Sequence, residues 1–262
     1  MSKWTAIVLA GERPGEGSFA AAHGVAGKAL IPVGGEPMLG RVVRTLLRST
    51  SVGRIVVLAQ EPERLLTGEL AWVAAEPRIR TSVAGPGIST SVAAIAGSEV
   101  APYPLLITTA DHALLEPEMV EAFLADVGDA DAAFALVDRP TVESVHPGTR
   151  RTWLRFSDGQ FSGANLFALA TPASRAATDF WSRAERDRKR PAKLLAYFGP
   201  MIFLRALTRS ISVQEAATQA GRRVGLKLKV VRLPFAEAAI DVDKPSDLEL
   251  AEAILRRRGA GA

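Results

Sequence analysis

No cysteine occurs anywhere in the 262 residues. That absence removes a disulfide framework, a thiolate zinc site and a Cys nucleophile together. It suits a reducing compartment, and the cytoplasm is the expected location. Histidine is almost as scarce, with three in the chain; His112 has no second ligand at close spacing and reads as structural. No uninterrupted apolar run reaches the roughly 18 residues that a spanning helix needs. The opening "MSKWTAIVLAGERPG" has too short an apolar stretch for a secretory leader and no small-residue cleavage pattern. Internal repeats and low-complexity linkers are missing as well. So are two familiar phosphate loops: Gly27-Lys28 is followed by Ala29 rather than Ser or Thr, and Gly11-Glu12-Arg13-Pro14 lacks the glycine spacing of a dinucleotide fingerprint.

What is present is enough apolar material, 48% of the chain, to bury a full core. Apolar runs alternate with helical patterns, the arrangement of a largely parallel sheet covered on both faces. Strands are expected at Trp4 to Leu9, Arg54 to Ala59, Ile79 to Val83, Pro104 to Asp111, through "ADAAFALVD", and at "LKVVRLP". Arg151 to Leu169 reads as a strand pair turning at Ser157-Asp158-Gly159, and "ALIPV" after Lys28 reads as strand-like. Helices are expected at Met38 to Arg48, from Ser89 or Ser91 onward, at Glu116 to Val127, and from Ser246 to Arg257 behind a Ser246–Glu249 capping box. The fold class is therefore α/β, a Rossmann-like three-layer sandwich in one domain. Residues 1–170 and 229–262 form its core, and 171–228 form a helical insertion.

The net charge of +4 says less than its distribution. From Arg183 to Lys193 six positive charges face two negative ones. Such a patch suits phosphate-bearing small molecules or an anionic surface, or is a solvated helix face. With the apolar stretch after it, it leaves peripheral membrane contact and a homodimer face as open readings; no nucleic-acid partner is expected.

Ligands of open α/β sheets sit beyond the carboxyl ends of the strands. Three such places carry polar residues. The first is the loop after Leu9 and Ala10, where Gly11, Gly15, Gly17, Gly24 and Gly27 allow backbone N–H groups to wrap a phosphate. Arg13 and Lys28 can neutralise its charge, Arg as a fork and Lys as a point charge. The second is Asp111, closing the most apolar strand, a natural hard ligand for Mg²⁺ or else a helix cap. The third is the run Ile240-Asp241-Val242-Asp243, whose carboxylates emerge on one side of an extended segment. Asp243 can complete a metal site with Asp111, with Asp241 as the alternative, or it can favour the helix dipole. Lys244 can reach a phosphate, and Arg150, Arg151 and Arg155 can grip an acceptor phosphate or cover a strand face.

Taken in order, "LAGERPG", "GKALIPVGGEPML", "TTAD", "GANLFAL" and "DVDKPSDLELAEAIL" resemble the MobA-like nucleotidyltransferases, part of the nucleoside-triphosphate transferase superfamily. The resemblance covers Trp4 to about Leu169 and Val230 to Leu255. It implies a GT-A-like Rossmann variant that moves a nucleoside monophosphate from an NTP, CTP or GTP favoured, to a phosphorylated small-molecule acceptor, with Mg²⁺ and release of pyrophosphate. Carried over by position, it implies Arg13 and Lys28 as catalytic, and Asp111 and Asp243 as metal ligands; Lys244, from its place after Asp243, is the third catalytic candidate. It puts Leu9, Ala10, Gly11, Gly15, Gly85, Gly87, Ser91 and Val92 at the nucleotide and Asn165 at the acceptor. Glu12 departs from the family's usual Gly, Gly27 from its usual Pro, and the loop carries an insert. An acidic side chain there repels a triphosphate unless it turns away, which keeps a nucleotide-binding module without turnover in play. A GT-A glycosyltransferase is the other alternative, against which Ala110-Asp111-His112 lacks an Asp-x-Asp.

Overall fold

The computed structural model describes residues 3–12, 17–85, 87–186, 204–205 and 208–260. Strands are numbered in chain order: β1 Trp4–Leu9, β2 Pro32–Val33, β3 Glu36–Pro37, β4 Val52–Ala59, β5 Ile79–Val83, β6 Leu105–Thr109, β7 Ala132–Asp138, β8 Leu154–Phe156, β9 Gly159–Leu169 and β10 Leu228–Arg232. The main sheet runs β10-β7-β9-β6-β1-β4-β5, with β8 paired to β9. All its neighbours are parallel except those of β9, which opposes β6, β7 and β8.

The central strands are near-continuous apolar runs because both faces are covered. Ala6 and Val8 of β1 face one apolar cluster with Leu39, Val42, Val43 and Leu46 of the helix Met38–Arg48 and with Val120 and Phe123 of the helix Pro117–Ala125. Ile7 faces a second cluster with Val56, Leu58, Ile107 and Val92 of the helix Ile88–Ile95. One strand thus feeds two layers of helices, which makes the three-layer sandwich. No described helix is long and apolar enough to cross a membrane.

Several expectations need correction. "ALIPV" is no strand of the sheet. Lys28–Leu30 form a turn of 3-10 helix, and Pro32–Val33 pair only with Glu36–Pro37 in a small hairpin turning through Gly34 and Gly35, both at positive φ. Proline at 32 and 37 removes the donors that a longer ladder would need. The final helix starts at Pro245, before Ser246, so the Ser246–Glu249 capping box does not form. Proline is favoured at the first helical position, and Asp247 performs the reach-back by accepting the Asp243 N–H at 3.3 Å. The segment Ile240 to Val242 alternates as expected, both apolar side chains being fully buried, yet it lies outside the sheet; Val242 N–H donates to the Asp111 carbonyl at 3.0 Å.

Of residues 171–228, the described helices pack on the sheet. The helix Arg175–Arg186 brings Trp181 onto Phe167 of β9, ring centroids 5.8 Å apart, and the helix Val213–Arg223 packs Val213 and Ala217 against Phe161 and Val230. Most of the Arg183 to Lys193 patch and of the apolar stretch after it, Tyr197 included, lies outside the described residues.

Glu121 ties the turn between the helix Met38–Arg48 and β4. Its carboxylate accepts from Ser49 Oγ (2.6 Å), Thr50 Oγ1 (3.2 Å), Ser51 N–H (3.0 Å) and Ser51 Oγ (2.5 Å). Burial opposes ionisation, but these donors outweigh it and hold the pKa down at about 2 instead of 4.5. The stability this lends is complete above the unfolded value and drains away as pH falls through the window from 4.5 to about 2. Glu121→Gln is expected to flatten that acid limb in denaturant titrations at pH values inside and above the window. An acid limb identical to wild type would contradict it.

Candidate functional site

From β1 the chain goes to β4 and β5 on one side, then returns to β6 on the other, so the sheet's direction of winding reverses between β1 and β6. Crevices at such reversals, beyond the carboxyl ends, are where open α/β sheets place ligands. Leu9 and Thr109 are register partners there, and Ala110 N–H donates to the Leu9 carbonyl at 2.9 Å. The loop after β1 and the carboxylate after β6 therefore start side by side.

Lys28, Asp111 and Asp243 meet at this point. Lys28 Nζ donates to Asp111 Oδ2 at 2.5 Å and also to Asp243 Oδ1. Both carboxylate oxygens touch one nitrogen, so they lie within roughly 5 Å of each other, twice a short ionic contact. Burial works against the ammonium, yet the two carboxylates outweigh it and raise the Lys28 pKa. Thr109 Oγ1, at the last residue of β6, donates to Asp111 Oδ1. Lys28 and Asp111 side chains are 17% and 19% exposed and Asp243 is 59% exposed, so the pair is rooted in the protein and open on one side.

Glu12 does not point into the loop as a free acid. Its Oε1 accepts the Lys28 backbone N–H at 2.5 Å. Gln60, just past β4, brackets the residue's own backbone, accepting from Glu12 N–H at 3.0 Å and donating to the Glu12 carbonyl at 2.9 Å. A Cβ at Gly11 would sit 2.8 Å from Gln60 Oε1, so a larger residue there would push the Gln60 side chain out of its bracket. The carboxylate that departs from the family pattern thus fastens the loop's start to its end. Arg13 and Gly15 lie outside the described residues.

The other expected contacts divide. Ser91 Oγ accepts from Gly85 N–H at 2.8 Å and donates to the Gly87 carbonyl at 2.5 Å, so it shapes the turn after β5. Val92 is fully buried in the core, so its side chain is no nucleoside contact: the helix Ile88–Ile95 turns it inward. Asn165 holds φ +48°, a rare conformation outside glycine in which Asn is enriched, and its Nδ2 lies 3.4 Å from Asp241 Oδ2. Lys244 is exposed and makes no ion pair among the described residues. Arg150 and Arg155 are likewise exposed, whereas Arg151 is buried and bound to Asp241 and Asp247 and cannot grip an acceptor. His112 is buried, and burial pushes its pKa down to about 4 against the pull of Asp111. Trp153 packs on the core beneath Arg139, 5.8 Å from the ring. Asp241 has its pKa raised by burial first and then by Asp243 and Asp111, with Arg151 opposing.

Sequence reasoning passed over Thr109 and Gln60, although the strand-end rule that singled out Asp111 applies to both. Nothing in the sequence pointed to Asp247 as a partner of Arg151. No cluster of three or more His, Asp or Glu able to hold a metal occurs among the described residues. Two carboxylates with a cation seated between them fit an ion that takes one or two protein oxygens and completes its shell from phosphate and water, as Mg²⁺ does.

A family model, the MobA-like NTP transferase domain, matches residues 6–221. The match runs on through residues 171–221, beyond the motifs visible by eye. The chain is 27% identical over 183 residues to the bifunctional protein GlmU of Symbiobacterium thermophilum, 70% of this chain against 37% of GlmU, and so spans little more than a third of that relative. Among solved structures, a hypothetical transferase from Thermus thermophilus is similar at a TM-score of 0.78 and 29% identity, covering 94% of this chain and 99% of that one. A 4-diphosphocytidyl-2C-methyl-D-erythritol synthase from Anaerococcus prevotii matches at TM-score 0.58 and 12% identity over 98% and 100% of the two chains. A CMP:2-keto-3-deoxy-manno-octonic acid synthetase complexed with CTP matches at 0.59 and 15% over the same shares. The last two share the fold.

Proposed function

The chain belongs to the MobA-like NTP transferase family and is a nucleotidyltransferase, and from that premise we propose that it moves a nucleoside monophosphate from an NTP to a phosphorylated small-molecule acceptor, with Mg²⁺ held by Asp111 and Asp243. The observation that carries the reading is the ammonium shared by those two carboxylates at the β1/β6 reversal. A cation is already stabilised where a divalent ion would serve both.

In the reaction, an acceptor phosphate oxygen attacks the α-phosphorus, the bond from it to the β-phosphate oxygen breaks, and pyrophosphate leaves. A phosphate monoester has its second pKa near ~6, so the nucleophile is already anionic at neutral pH and no general base is needed. The protein's work is to align two polyanions and neutralise charge that accumulates on the leaving group. The bound ion would supply charge neutralisation at the α-phosphate. Lys28, anchored through its backbone to Glu12, is placed to shift its ammonium onto the β- or γ-phosphate. Arg13 adds a second cation from the same loop, and Lys244, exposed beside Asp243, supports the acceptor. Gly85 and Gly87, each hydrogen-bonded to Ser91, are the nucleoside side, and Asn165 is the acceptor side.

CTP and GTP are the favoured donors, and a thermal-shift panel of the four NTPs with Mg²⁺ tests the reading. A nucleotide at 100 times its Kd adds about 2.7 kcal/mol, a rise in Tm of roughly 5–10 °C for a domain of this size. One nucleotide is expected to produce that rise and to support Mg²⁺-dependent pyrophosphate release with a phosphorylated acceptor. A flat response across all four overturns the assignment.

A further inference from the structure

Arg151 sits between the helix Arg139–Val145 and β8, and only 7% of its side chain is exposed. Nη1 donates to Asp241 Oδ1 at 2.6 Å and Nη2 to Asp247 Oδ1 at 3.2 Å. The second oxygen of Asp247 accepts the backbone N–H of Asp243 at 3.3 Å. Contacts therefore run unbroken from Arg151 through Asp247 to the residue whose carboxylate meets Asp111 across Lys28. Burying a guanidinium is costly, and an apolar side chain of similar volume often serves stability as well or better. Here one donor, Nε, is buried with no partner among the described residues. An ion pair kept despite an orphaned donor points to geometry, not stability, as what it secures.

We propose that Arg151 is a positioning residue: by drawing Asp241 aside and fixing Asp247 against the Asp243 backbone, it aims the Asp243 carboxylate at Asp111 and so sets the pair's affinity for a divalent ion. The proposal rests on the reading of Asp111 and Asp243 as ion-holding carboxylates. Asp241 lies in the same acidic group, and a guanidinium fork is the one side chain that engages it and Asp247 together. Lysine, a point charge, satisfies one of the two.

Mn²⁺ alone, followed by the electron-paramagnetic-resonance signal of the free ion, is the probe for wild type, Arg151→Met, Arg151→Lys and Asp247→Asn, each with its melting temperature. Partners that orient ligands typically change metal affinity by about 10–100-fold. Arg151→Met and Asp247→Asn are each expected to raise the Mn²⁺ dissociation constant by that factor, with Arg151→Lys between them and wild type. If Arg151→Met does not fold, the nearly isosteric Asp247→Asn carries the test. Wild-type Mn²⁺ affinity in the folded variants overturns the positioning role alone. Failure of the wild-type protein to bind Mn²⁺ at millimolar concentration overturns the ion site, and the proposal with it.

Discussion

Replacing Lys28 by Ala is expected to lower kcat/KM for pyrophosphate release by about 10²–10³-fold, the loss that follows removal of one transition-state charge donor. The same change is expected to tighten binding of a divalent ion in the absence of nucleotide. Both effects come from one position. Nζ lies between Asp111 and Asp243, so without a triphosphate the ammonium competes with the metal for the same two oxygens. Its removal leaves two carboxylates within ionic reach of each other, a repulsion that a divalent ion relieves. With nucleotide present the balance reverses, because the phosphates then lack their mobile counter-charge. Lys28→Met keeps the length of the side chain without its charge and should match Lys28→Ala in both measurements. Turnover near wild type in either variant would refute the phosphate role, and unchanged metal affinity would refute the competition.

The second large effect is expected from Asp111→Asn. The amide keeps the shape and one acceptor, so Thr109 and the backbone around 111 have little reason to move. What disappears is charge at the carboxyl end of β6. An ion at such a place lends several kcal/mol to a phosphoryl-type transition state, so a rate loss on the order of 10³-fold is expected. Asp243→Asn should act in the same direction. Asp241→Asn should chiefly lower the melting temperature, because it loosens the buried Arg151. Steady-state rates across a Mg²⁺ series, with melting curves for all three variants, separate these outcomes. Equal loss of rate in all three would mean that acidity in general, and not the Asp111–Asp243 pair, is what matters.

The fold was largely legible because the apolar runs of the central strands match places buried on both faces. Ile79–Val83 and Met38–Arg48 fall on their expected bounds. Less legible was the stretch after Lys28, where apolar composition suggested a strand but Pro32 and Pro37 restrict it to a two-residue ladder. Strand-end position was enough to single out Lys28, Asp111 and Asp243, which the fold brings together across as many as 215 residues of separation. The partners that hold them were not legible. Glu12 reads in one dimension as a charge in the wrong place, and only the folded loop shows it bound to the Lys28 N–H. Arg151 reads as one of several surface arginines, and only packing shows it enclosed.

The reversed strand β9 has a consequence for how such a catalyst diversifies. Because it runs against β6 and β7, its early residues, not its last ones, arrive at the reactive edge, behind a turn at Ser157-Asp158-Gly159. On the function proposed above, the two substrates are then served by separately encoded pieces of chain. On that reading a lineage can lengthen or recompose that hairpin and acquire a new acceptor while the two aspartates and the nucleotide loop stay as they are.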